Sequence, residues 1–152
     1  MSIKGTGKSK YDHLLCNQIQ TPDGTVLTSY HRHDYQTHED KNGFTYMVDG
    51  GTDYLRRFVV ADAPYVEQAE YYKTGDHAHN REYARWGTRG KKGDKPVKYK
   101  LIKDMSNKHL RATLSFCQGY MSGILKEVMR AEQKHRKLKV VKGQGTKLGL
   151  GR

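Results

Sequence analysis

The sequence predicts an α+β fold: an N-terminal antiparallel β-meander, then two packed C-terminal helices, with disordered basic tails at both ends. Three observations carry that prediction. Short β-branched and aromatic runs, separated by glycine-containing turns, fill residues 14 to 60. Two stretches with helical apolar spacing, each behind a serine, occupy residues 106 to 133. The first ten residues hold three lysines and the last nineteen hold seven Lys or Arg, with no acid in either stretch, so both ends are too polar to bury a core. The organisation expected is a flexible basic tail over 1–10, a single α+β domain over 11–133 and a basic C-terminal extension over 134–152.

Leu14 to Gln20 reads as the first strand, and Thr21-Pro22-Asp23-Gly24 as the turn that reverses it, because proline presets φ and glycine supplies the exit. Thr25 to His31 is the return strand. Asn42-Gly43 is the clearest hairpin signal in the chain, read as a two-residue type I′ turn from a strand ending near Lys41 to one beginning at Phe44. Pairing outward from it sets Glu39 opposite Tyr46 and Thr37 opposite Val48, with His38 on the other face beside Met47. Tyr54 to Val60 adds a fourth strand with Tyr54, Arg56, Phe58 and Val60 on one face, Tyr65 to Tyr72 reads as a short helix, and Asp76 to Trp86 reads as helical. Residues 87–96 form a glycine-rich basic loop before an alternating strand over Val97 to Ile102. Ser106 and Ser122 are placed to cap the two final helices, whose apolar stripes are Leu110, Thr113, Leu114 and Cys117, then Ile124, Leu125, Val128 and Met129. The apolar stripe runs out near Lys134, where a Lys-Gly tail is expected.

Charge is distributed unevenly. Residues 11–80 carry 5 basic and 11 acidic side chains, whereas residues 81–111 carry 11 basic and 3 acidic. Clustered Lys and Arg release counterions on meeting a phosphate polymer, so the basic part and the tails point to nucleic acid, DNA or RNA, with mere solubility as the plain alternative. The candidate contacts are Arg81, Arg85, Trp86, Arg89, Lys91, Lys92, Lys95, Lys98 and Lys100, joined by Lys137, Lys139 and Lys142 of the extension. Helical spacing sets Arg81 and Arg85 one turn apart beside Trp86, whose ring between cations suits a stacked base; equally, a lone tryptophan suits a core. Gly5 to Ser9, GTGKS, lacks the strand and the earlier glycine of a phosphate-binding loop and reads as tail.

His31, His33, Asp34 and His38 form a second concentration of chemistry. A His-x-His pair on a strand puts two imidazoles on one face, a weak signal for a divalent metal that would activate water for phosphodiester cleavage. The competing reading is a structural network in which the histidines bond tyrosine hydroxyls and carboxylates. No catalytic nucleophile arrangement is present, and no cofactor other than that metal is implied. Cys16 and Cys117 belong to no paired motif, which suits a reducing compartment, and neither a secretory leader nor a membrane helix is expected.

HRHDYQTH with YMVDGGTDYLRR, residues 31–38 and 46–57, and WGTRGKKGDKPVKY with DMSNKHLRATL, residues 86–99 and 104–114, resemble stretches of small uncharacterised proteins of tailed bacteriophages. The resemblance spans about half of the chain and implies a viral protein acting in the host cell cytoplasm, without bringing any activity or catalytic residue with it. The expectation is a non-enzymatic accessory protein that binds nucleic acid or a host ribonucleoprotein through its tails and the loop after Trp86. The alternatives are an inhibitor of a host defence or housekeeping protein, and a metal-dependent nuclease built on His31 and His33.

Overall fold

The computed structural model describes residues 2–4, 13–60, 62 and 64–144, and their side chains except over 2–4 and 138–144. The expected GTGKS tail and the last eight residues lie outside that range. The chain has an antiparallel meander first and packed helices last, and falls into two compact units, Met1–Tyr72 and Lys73–Arg152.

Among its described residues the first unit holds eight strands: β1 (Ser2–Lys4), β2 (Leu14–Gln20), β3 (Val26–Ser29), β4 (Gln36–Glu39), β5 (Thr45–Asp49), β6 (Arg56–Val59), β7 (Val66–Glu67) and β8 (Glu70–Tyr71). One sheet runs β1-β6-β5-β4, and in the other β2 lies between β3 and β7 and also pairs β8. Ile19, Leu27, Tyr46, Val48 and Val59 form the core, with Tyr65 against it. Ser2–Lys4 of the expected tail is held as a strand because it pairs with β6, Ile3 opposite Phe58. Residues 65–72 form β7 and β8 where a helix was expected: Arg57 binds the Glu67 carboxylate through two nitrogens at 3.1 and 2.7 Å, and β2 supplies backbone partners along both strands.

The β4–β5 turn differs from the expected one by a residue. The Asp40 carboxylate accepts from the Asn42 and Phe44 amides at 2.9 and 3.0 Å, closing a three-residue loop over Lys41–Gly43. Within it Gly43 alone takes a left-handed φ, 81°. The register shifts accordingly, so that His38 faces Tyr46 and Thr37 faces Met47. His38 therefore shares the face of the buried Tyr46 ring rather than that of Met47. On β6 the buried residues are Arg57 and Val59, the face opposite to the one read as a set from Tyr54 to Val60.

The second unit holds α1 (His77–Tyr83), β9 (Arg85–Thr88), β10 (Lys98–Leu101), a 3-10 turn (Ile102–Asp104), α2 (Asn107–Phe116) and α3 (Gly123–Gln144). The Ser106 hydroxyl accepts from the His109 amide and the Ser122 hydroxyl from the Leu125 amide, the two expected caps. Leu110, Val128 and Met129 are buried with Ala84, Ile102 and Met105. The last helix passes Lys134 and continues to Gln144, since the Lys, Arg and Leu there are good helix formers and Arg136 pairs with Glu132 one turn back at 2.8 Å. The expected helix over 76–86 ends early: Ala84, wholly buried and extended, turns the chain into β9.

Candidate nucleic-acid interface

Among the described residues β9 and β10 pair only with each other, as an antiparallel ribbon with Arg85 opposite Leu101, Trp86 opposite Lys100, Gly87 opposite Tyr99 and Thr88 opposite Lys98. Directly opposed residues share a face, so Trp86, Thr88, Lys98 and Lys100 line one side. Both lysines are exposed, and Trp86 is half-buried. The connecting loop is closed by its own backbone: the Lys95 amide donates to the Arg89 carbonyl and the Gly93 amide to the Gly90 carbonyl, at 3.0 and 3.1 Å. Every side chain from Arg89 to Lys98 is exposed, Lys91, Lys92 and Lys95 among them. From 85 to 101 the ribbon carries seven basic residues and one acid, Asp94. Lys100 also lies near the start of α2, where burial and then the charge of Lys100 push the His109 imidazole down.

Not all the expected contacts gather there. Arg85 and Trp86 stand on a strand, pointing to opposite faces of it, instead of along one helix with Arg81. Arg81 is directed inward, its Nε and Nη2 donating to Glu132 at 2.7 and 2.9 Å. Lys137 is exposed on α3; the side chains of Lys139 and Lys142, on the same helix, lie outside those described.

Glu132 escaped the sequence reading, although an acid three and four residues beyond Met129 and Val128 continues the apolar stripe. It is fully buried and accepts from His77 at 2.9 Å and from Arg136 at 2.8 Å as well as from Arg81. Arg136 reaches on to Asn107 and the Ile102 carbonyl. Burial works against ionisation of Glu132, but the hydrogen bonds from Arg81, Arg136 and His77 outweigh it and hold the carboxyl at about 2. This cluster ties α1, α2 and the 3-10 turn to α3.

In the first unit the four residues of the expected metal set do not converge: His31 and Asp34 face each other, while His33 and His38 each turn to a different partner. The 30–34 segment is a turn, not the end of a strand: the Asp34 carboxylate accepts from the Tyr30 amide at 2.8 Å and the Asp34 amide donates to the His31 carbonyl at 3.0 Å. Gly51 packs so closely on this turn that a Cβ there would sit 2.4 Å from the His31 Cα. His31 stands 3.9 Å from Asp34, His33 bonds the Tyr54 hydroxyl at 3.0 Å and His38 bonds Asp23 at 2.7 Å. The Thr21 hydroxyl, then His38 and Thr25, hold the Asp23 carboxyl far below the usual range. Among the described residues no group of three or more His, Cys, Asp or Glu is placed to hold a metal ion. The geometry of His33 and His38 is that of a tyrosine- and carboxylate-bonded network.

Asp49 and Tyr54 are the other residues missed. Asp49 is fully buried, and its Oδ2 accepts from the Tyr54 hydroxyl at 3.2 Å and from Arg56 at 3.5 Å, whereas Oδ1 has no partner among the described residues. Burial, and then the Asp49 hydrogen bond, raise the Tyr54 phenol above its ordinary value, which keeps its proton in place at neutral pH. The signal in the sequence was the pairing of VDGG with a tyrosine three residues on, a tight turn that folds an aromatic back over an acid. No helix among the described residues is long and apolar enough to cross a membrane. No protein-family model, curated protein or solved structure matches the chain.

Proposed function

We propose that the chain is a nucleic-acid-binding protein whose contact surface is the β9–β10 ribbon and the loop between its strands. One observation supports this above the others: seven basic residues on a two-stranded ribbon whose loop is exposed throughout, with Trp86 opposite Lys100 and on the same face as Lys98. A pleated ribbon spaces its lysines regularly along one side and offers an aromatic edge to a base. The exposed Lys137 on α3 adds a further cation. The bacteriophage resemblance implies that the polymer is met in the cytoplasm of a host cell.

The test is a mobility-shift titration over a salt series with Lys91, Lys92 and Lys95 all changed to alanine. Three lost phosphate contacts are expected to flatten the dependence of log affinity on log salt by about 2 to 3. All three side chains are exposed, so the fold should be untouched. A variant with the wild-type slope and affinity removes the ribbon from the binding surface.

A further inference from the structure

His33 is the only non-glycine with a left-handed backbone among the described residues, at φ 63°. Side chains rarely adopt that conformation, and an exposed residue gains no core packing in return. What it gains is a defined ring. Tyr54 has a single hydroxyl proton, and it is donated to Asp49 Oδ2 at 3.2 Å. The Tyr54 oxygen then accepts from His33 Nδ1–H at 3.0 Å, which leaves the lone pair on Nε2 of an exposed imidazole. Asp49 anchors this relay from a fully buried position. Arg32, whose side chain is 65% exposed, sits with its guanidinium 5.8 Å from the centre of the same Tyr54 ring and 4.0 Å from Asp53.

A base held in one tautomer beside an exposed cation suits an anionic substrate with a hydroxyl to deprotonate. We propose that His33 is the general base of a site that cleaves single-stranded RNA, with Arg32 holding the scissile phosphate and Tyr54 and Asp49 as positioning residues. RNA carries its own nucleophile, the 2′-hydroxyl next to each phosphate, so the protein need not supply one. Nε2 takes the 2′-hydroxyl proton, the 2′-oxygen bonds to phosphorus and the bond from phosphorus to the 5′-oxygen breaks. The departing 5′-oxygen takes a proton from water, and the hydroxide so formed takes the proton from Nε2. The products are a 2′,3′-cyclic phosphate and a 5′-hydroxyl. The choice of polymer rests on the nucleic-acid reading above; the chemistry does not.

The full chain is incubated in EDTA with a single-stranded RNA oligonucleotide and with its DNA counterpart, and the ends are identified by mass spectrometry. RNA is expected to yield cyclic-phosphate and 5′-hydroxyl ends, and DNA to stay whole. Asparagine tolerates the left-handed backbone, so His33→Asn keeps the turn and should slow cleavage about 100-fold or more with RNA retention on gels unchanged. Tyr54→Phe should lower kcat more than KM, and the 15N spectrum of neutral His33 should lose its Nδ1-protonated form. RNA that is retained on gels yet remains whole overturns the cleavage site and leaves the binding reading standing. Cleavage at the wild-type rate by His33→Asn also overturns it. Cleavage unaffected by loss of Lys91, Lys92 and Lys95, but lost in His33→Asn, supports the site and overturns the ribbon as the binding surface.

Discussion

Glutamine in place of Glu132 is expected to destabilise the helical unit by about 3 kcal/mol, because it leaves two mostly buried guanidinium groups without their counter-charge. For a unit of this size that is a fall in melting temperature on the order of 10 °C. The pH dependence carries its own signature. The Glu132 carboxyl is depressed from 4.5 to about 2 in the folded chain, so its contribution is complete above 4.5 and is lost as pH falls towards 2. Glu132→Gln has no such group to protonate. The stability gap between wild type and variant is thus expected to be widest near neutrality and to narrow between pH 4.5 and 2, as followed by urea unfolding at a series of pH values. A gap that stays constant over that interval would show that Glu132 is not the ionised centre of the cluster.

Arg57 is the corresponding residue of the first unit. It is fully buried, it grips Glu67 through two nitrogens, and its Nη1 donates to the Asn17 side chain at 2.5 Å. Asn17 in turn donates to the Asp49 and Gly51 carbonyls, each at 2.9 Å, so the guanidinium organises the diglycine turn at one remove. Alanine at 57 should cost about 4 kcal/mol, through a cavity in the core and an unsatisfied Asn17 oxygen. Methionine refills the volume but offers no donor, and should recover only about half of that loss. Glu67 is expected to contribute less to the penalty, since its side chain is 42% exposed and can rehydrate. Chemical denaturation of the two variants decides the matter: a methionine variant within about 1 kcal/mol of wild type would mean that packing, not hydrogen bonding, is what Arg57 supplies.

The same two residues show where sequence reading succeeds and where it stops. Ser106, Ser122 and the stripe Leu110, Val128 and Met129 were legible because capping and helical periodicity are local, and each landed where the spacing put it. Strand β2 and the turn at Gly24 were legible for the same reason. Arg57 and Glu132 were not, because a charge is buried only where partners from distant segments converge on it: Asn17 and Glu67 for the one, His77 and Arg81 for the other. The strands over 65–72 were illegible in a related way, as short segments that are strands only because β2 has an edge to fill. At the candidate interface the lysines of the loop were plain from composition. The ribbon that sorts them onto faces needed the pairing of Trp86 with Lys100, which no local pattern announces.

The three-residue closure of the β4–β5 hairpin places His38 within reach of Asp23, at 2.7 Å. Because side chains alternate across a strand, removing or adding a single residue between Asp40 and Phe44 would send His38 to the opposite side and strand Asp23 in its turn. Substitutions at Lys41 and Asn42 should therefore be well tolerated during divergence, whereas the number of residues spanning that bend should stay fixed.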